Sequence, residues 1–180
     1  MQISQTTDEL ALVLAARTDS QAFGALYDRY IQRVYRYCYY RTNNAPDAED
    51  LTAQIFLAAL EALPRYRQDG HFAAWLFSIA RRKVTDYYRR TSHAALEETT
   101  LPPIHTDLAV DVETSQRREH LLRLIQALGE DEQELIHLRY VAELSFAEIA
   151  NALRKNEEAV KKTLYRLIGR LKKELEADHE

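Results

Sequence analysis

The sequence predicts an all-α fold: two small helical domains joined by a flexible linker, the second containing a helix-turn-helix. Three observations carry this. The 180 residues include only 4 Gly and 4 Pro, so long helices with few breaks are expected. Apolar residues recur at the 3.6-residue helical period, and no alternating strand pattern stands out. Between the two periodic halves, residues 91–116 (TSHAALEETTLPPIHTDLAVDVETSQ) hold a Pro pair, many Thr/Ser and no sustained period. The expected division is 1–90, a linker over 91–116, and 117–180.

The elements follow in order. A short helix over about 7–17, with Thr7 as cap, precedes a strong amphipathic helix over 21–41. There Phe23, Leu26, Tyr27, Tyr30, Val34, Tyr37 and Cys38 form one stripe. Asn43-Asn44 breaks the chain. Pro46 suits the first turn of the next helix, and Asp47, Glu49 and Asp50 crowd its positive end. Leu51, Ile55, Phe56 and Leu60 continue it to Pro64. After the loop RYRQDGH, the residues Phe72, Trp75, Leu76, Ile79 and Ala80 mark another helix whose far end is basic. Trp75 is expected to pack in the core. Beyond the linker, Leu121, Leu122, Leu124, Ile125 and Leu128 make one helix, and Asp131 with Glu134 reads as a capping box opening the next.

Ser145-x-x-Glu148 is a second capping-box sequence. Phe146, Ile149, Ala150 and Leu153 line the inner face of that helix, and Asn156 caps its successor. In the successor, Val160, Leu164, Leu167, Ile168, Leu171 and Leu175 point inward. Lys161, Lys162, Tyr165, Arg166, Arg170 and Lys173 are left mostly outward, where they could enter a major groove. Glu158 could accept from a cytosine amino group. On spacing alone, the same residues also fit a two-helix piece of a bundle with a solvated basic face.

Net charge is −4, but its distribution is uneven. Residues 154–173 carry eight Lys/Arg against two Glu, and 65–90 carry seven against two Asp. The linker has five acids, Glu97, Glu98, Asp107, Asp111 and Glu113, and no Lys or Arg. Two basic patches joined by an acidic strap suit a nucleic-acid partner better than the total suggests. No stretch approaches the ~20 apolar residues that span a membrane, and the N-terminal stretch does not read as a signal peptide. The single Cys38 reads as a buried thiol in a reducing cytoplasm. Six histidines lie scattered without metal-ligand spacing, and no glycine-rich phosphate loop is present. Neither an enzyme, a metal nor a cofactor is expected.

Two long segments carry a resemblance. DAEDLTAQIFLAALEAL with RYRQDGHFAAWLFSIARRKVTDYYRR resembles conserved region 2 of bacterial extracytoplasmic-function (ECF) sigma factors. LRYVAELSFAEIANAL with EEAVKKTLYRLIGRLKKEL resembles region 4 of that family. The resemblance implies an alternative sigma factor that binds core RNA polymerase and promoter DNA, with an anti-sigma factor as a further partner. It implies that Asp47, Glu49, Asp50 and Gln54 dock on the polymerase. It implies that Tyr66, Arg67, Asp69 and His71, with Arg82 and Lys83, hold the unpaired downstream promoter element. Glu158, Lys161, Lys162, Tyr165 and Arg166 then match the helix that reads the upstream element. Arg82 departs from the family's common Asn, Arg154 from its frequent turn glycine, and Thr163 from a frequent basic residue. The acidic linker would thread polymerase channels as an RNA mimic, or serve as a solvated tether. The alternatives are a free-standing helix-turn-helix regulator and a degenerate sigma-like adaptor.

Overall fold

The computed structural model describes residues 2–67, 71–94 and 112–177, and all the regular elements among them are helical. Helix α1 (Gln2–Ala15) begins ahead of Thr7, so Thr7 is not its cap. Helix α2 (Ser20–Thr42) starts at Asp19, whose carboxylate accepts from the Gln21 N–H at 2.8 Å. It ends where Asn43 turns left-handed at φ 51°, a conformation asparagine tolerates. Helix α3 (Ala45–Ala62) is capped by Asn44 through the Asp47 N–H at 3.0 Å. A 3₁₀ turn, Leu63–Arg65, finishes it at Pro64. The stripe Leu26, Tyr30, Val34, Tyr37 and Cys38 is buried as its spacing requires. Burial pushes the Cys38 thiol up to about 12, so it is protonated and inert at neutral pH.

Helix α4 (Phe72–Ala94) runs further than expected. No glycine or proline interrupts the chain between Gly70 and Pro102, and Thr91 satisfies its hydroxyl on the Tyr87 carbonyl at 3.0 Å. Helix α5 (Val112–Gln126) likewise begins inside the expected linker. Residues 91–94 and 112–116 are therefore helical, because their polar composition is compatible with helix. Glu97, Glu98, Asp107 and Asp111 lie outside the described residues.

Helix α6 (Glu130–Ile136) starts at Gly129, not at Asp131. The expected capping box is absent because Glu134 turns inward. It continues as a π turn, His137–Val141. Helix α7 (Phe146–Leu153) has the capping box expected at Ser145 and Glu148. At its end Arg154 is left-handed, φ 53°, with Lys155 N–H on the Ala150 carbonyl at 2.9 Å and Arg154 N–H on Asn151 at 3.1 Å. This is a Schellman ending with arginine where glycine is easiest. Helix α8 (Glu157–Ala177) follows. Among the described residues no helix is long and apolar enough to cross a membrane.

The two halves share one continuous apolar core. Helix α4 packs on α3 and also on α7, while α2 meets the π turn. Phe72, Ala73, Ala74, Leu76, Phe77 and Ala80 are all buried, which a single covered face cannot produce. At the junction Tyr37 meets Phe77 edge-on, centroids 5.6 Å apart. Its hydroxyl donates to Glu134 at 2.9 Å. Arg41 and Arg81 pair with the same carboxylate at 2.9 and 2.8 Å. Nearby, Arg33 Nε donates to the Ala142 carbonyl at 2.8 Å, Arg81 reaches the Ala152 carbonyl at 3.4 Å, and Arg36 pairs with Glu143 at 3.1 Å.

Two outcomes follow. Arg154→Gly relieves the left-handed strain and is expected to stabilise the fold by about 1 kcal/mol, raising Tm by about 2–4 °C in calorimetry. His137 is buried with no partner for Nδ1; burial, helped by Arg41, pushes its pKa down to about 4. Above about pH 6.5 the imidazole is neutral folded or unfolded. As pH falls toward 4 the unfolded chain takes the proton first, so stability drops by up to about 3 kcal/mol. Thermal melts from pH 7 to 4 should show this loss, and His137→Asn should lack that part of it.

Candidate nucleic-acid interface

Helix α8 owes its direction to both ends of the turn before it. Asn156 Oδ1 accepts from the Glu158 N–H at 2.9 Å and the Ala159 N–H at 3.3 Å. Val160, Leu164, Leu167 and Leu171 are buried beneath, and α7 and α5 pack against this helix. The expected residues Glu158, Lys161, Lys162, Tyr165 and Arg166 then fall at i, i+3, i+4, i+7 and i+8, a single outer face. Lys162, Arg166 and Glu158 are exposed, and the Tyr165 ring is 65% exposed, its base held against Phe146 at 5.8 Å between centroids.

The cations on this helix are not equivalent. Lys161 is bound to Glu157 at 2.9 Å and Glu158 at 3.1 Å, and lies 5.9 Å over the Phe146 ring. Arg170 is paired with Glu132 at 2.7 Å. Among the described residues Lys162 and Arg166 form no ion pair, so their charge faces outward uncommitted. Thr163 is half-buried and offers the groove little. A Cβ at Gly169 would meet nothing within 4 Å, so packing does not require glycine there.

The second basic region lies on the loop before α4 and on α4 itself. Tyr66, expected to stack on bases, is instead buried, 6% exposed. Its ring packs on Trp75 and Phe72 at 4.8 and 6.0 Å between centroids. Its carbonyl accepts from Arg17. Trp75, half-buried against Tyr66 and Phe72, packs as expected. This trio ties the two ends of the loop together, because each ring gains more by leaving water than by standing open. Arg67 and Arg82 are exposed, while His71 and Lys83 are half-buried. Asp69 lies outside the described residues.

On α3 the acids divide. Asp47 is half-buried and accepts from the Tyr87 hydroxyl at 2.7 Å. Glu49, Asp50 and Gln54 are exposed. The same outer face continues through Leu57 and Leu60, 58% and 44% exposed. Leu60 was expected inside; its neighbour Ala59 takes the buried position instead. Sequence reasoning missed this pair. The available signal was that Leu57 stands off the Leu51–Ile55–Ala59 stripe, so one large apolar side chain more than the core needs was present.

The Sigma-70 region 2 family profile matches residues 26–94, and the Sigma-70 region 4 profile matches residues 118–171. The ECF RNA polymerase sigma factor BldN of Streptomyces coelicolor is 37% identical over 166 residues. That alignment takes in 89% of this chain, and the chain spans 62% of BldN. The RNA polymerase sigma factor YlaC of Bacillus subtilis is 30% identical, over 86% of this chain and 92% of its own. The solved structure of CnrH in complex with the cytosolic domain of CnrY superposes with a TM-score of 0.70 at 24% identity, over 94% of this chain and 97% of that one. With both regions present, in order and at this level of identity, the chain belongs to the extracytoplasmic-function RNA polymerase sigma factors of the sigma-70 family, the alternative sigma factors that direct transcription initiation.

Proposed function

We propose that three separate faces divide the work of this sigma factor. The acidic and leucine-bearing face of α3 docks on core RNA polymerase through Glu49, Asp50, Gln54, Leu57 and Leu60, with Asp47 holding Tyr87 rather than the partner. Arg67, His71, Arg82 and Lys83 hold the unpaired downstream promoter strand, over a platform fixed by Tyr66 and Trp75. The outer face of α8 enters the upstream element, led by Lys162, Tyr165 and Arg166. The observation that supports this best is the exposed outer face of α8, a helix N-capped by Asn156, with Lys162 and Arg166 free of ion pairs among the described residues. A solvated bundle face has no need of a 65% exposed tyrosine between two unpaired cations. Phosphate contact by a few such cations gives weak, salt-sensitive binding to duplex DNA, and specificity then depends on polymerase bringing both faces to work together. The protein works in the cytoplasm, and the nucleotidyl chemistry belongs to the polymerase. An anti-sigma factor stays among the expected partners on the family resemblance. The working boundaries of the two domains move from 90 and 117 to the end of α4 at Ala94 and the start of α5 at Val112.

Run-off transcription with purified core polymerase on a promoter library tests the reading: start sites should appear only when this protein is added. A gel shift should show poor duplex binding by the protein alone and rescue by core polymerase. Tight sequence-specific binding without polymerase would favour the free-standing regulator instead.

Within that assay, Arg166→Ala should lower open-complex formation by about 5- to 100-fold, the cost of one good base or phosphate contact. Lys161→Ala should cost less, because its charge is already spent on Glu157 and Glu158. Asp50→Lys combined with Leu57→Ala should abolish copurification with core polymerase while leaving the helical circular-dichroism spectrum unchanged.

A further inference from the structure

We infer that Arg17, in the turn between α1 and α2, is a positioning residue for the downstream promoter strand: its guanidinium holds the Tyr66 carbonyl and so sets the direction in which Arg67 leaves the core. The inference rests on the proposed role of Arg67, His71, Arg82 and Lys83, and adds to them a residue that acts from behind. A terminal nitrogen of Arg17 donates to the Tyr66 carbonyl, 49 positions away in sequence. Tyr66 is buried, its ring sealed against Phe72 and Trp75, and its N–H donates to the Leu63 carbonyl at 3.0 Å. A backbone carbonyl at that depth requires a donor, and Arg17 supplies one. The peptide unit is planar, so the Tyr66 carbonyl and the Arg67 N–H turn together. Fixing the carbonyl therefore fixes the plane from which the exposed Arg67 departs. The far end of the same loop is held separately, by the Trp75 N–H on the His71 carbonyl at 3.0 Å.

Arg17 is itself firmly placed. Its N–H donates to the Leu14 carbonyl at 3.3 Å, and the Thr18 and Asp19 N–H groups to the Ala15 carbonyl at 3.1 and 3.0 Å. Asp19 then caps α2. Helix α1 is fastened to α2 by Glu9, which accepts from the Tyr30 hydroxyl, and the Tyr30 ring packs on Phe72 at 5.4 Å between centroids. Contacts thus run from α1 through Tyr30 and Phe72 to the Tyr66 ring, and Arg17 returns from the Tyr66 carbonyl to the end of α1.

Stitching the core does not account for an arginine here. Its Nε is buried without a partner, and among the described residues the guanidinium forms no ion pair. An unanswered buried N–H is costly, and a neutral amide would serve one carbonyl without that cost. What arginine adds is a charge-assisted, stiffer bond and a positive charge, uncancelled by any carboxylate, behind the peptide from which Arg67 projects. Such a charge favours a phosphate strand lying over the loop.

The test is fluorescence anisotropy of the holoenzyme with a labelled single strand carrying the downstream element of a promoter chosen by run-off transcription. The same strand with the bases of that element replaced is the comparison. Wild type should prefer the matched strand. Arg17→Met keeps the apolar stem and removes donor and charge; it should cut that preference about tenfold, the scale of one charge-assisted hydrogen bond. Its copurification with core polymerase should be unchanged. Arg17→Lys returns a cationic donor and should recover most of the preference. Tyr30→Phe removes the hydroxyl bond to Glu9 but leaves the Tyr66 carbonyl held; it should lower Tm and keep the preference. An undiminished preference in Arg17→Met would overturn the inference, as would Arg17→Lys no better than Arg17→Met. An equal loss in Tyr30→Phe would also overturn it, because a general loosening of α1 would then explain the effect. A wild-type holoenzyme that binds neither strand, or both alike, would instead overturn the proposed function.

Discussion

A buried carboxylate must be answered by donors, and in this protein that requirement joins the two halves. Glu134 enters from the second domain and finds its tyrosine and two arginines on the first. Much of the arrangement nearby follows. Helix α6 forgoes a capping box and starts on glycine with three acids in its first turn, where the helix dipole favours them. Phe77 is sealed on a face of α4 that would otherwise meet water, with Tyr37 and the Arg33 guanidinium against it. Helix α4 becomes buried all round at its start and basic at its far end. One helix thus serves as the core of the first domain, the seat for the second and the carrier of exposed cations.

The division between buried and exposed explains the outer faces as well. On α3 the acids nearest the cap fulfil a local need, and Asp47 is held by Tyr87. Farther along, two exposed leucines have no covering element among the described residues. Helix dipole and capping account for the first group and do not account for the second. An acidic and apolar face of this kind is suited to a large partner with basic and apolar patches of its own, which is why the docking role is assigned to the face rather than to the acids alone.

Local rules read well in the sequence and non-local ones did not. The stripe on α2, the Ser145 capping box and the Asn156 cap depend on residues within one or two turns, and periodicity finds them. The Glu134 cluster depends on residues at 37, 41 and 81, nearly a hundred positions away in two cases, so a plausible capping box at Asp131 took its place. Tyr66 looked like an open ring because its loop is polar; its partners Phe72 and Trp75 come from the following helix. Leu60 followed the helical period, but which of two adjacent positions is sealed depends on where the neighbouring helices sit. The linker ends were missed because composition marks a polar segment, not its backbone, and TSHA is a polar sequence that a helix accepts. Of the candidate site, the outer face of α8 was legible residue by residue, while its electrostatics were not. Only coordinates show that Lys161 is neutralised within its own first turn.

That last feature bears on how an acidic protein handles DNA. The two glutamates at the start of α8 stabilise the helix end and absorb one lysine. Arg170 is absorbed by Glu132. What remains outward is a short row, Lys162, Tyr165 and Arg166, with Lys173 farther along, too small to hold duplex DNA at physiological salt by counterion release alone. The second basic region exposes Arg65, Arg67, Arg82, Arg89 and Arg90, of which Arg89 is paired with Asp86. Had each domain kept every cation uncommitted, the free protein would be drawn to any DNA. On the proposed function, pairing some of them internally keeps each grip weak when a domain acts alone. The left-handed Arg154 carries about 1 kcal/mol of strain, tolerated because the Schellman ending before it and the Asn156 cap after it hold the turn, which fixes the direction of the outer face of α8.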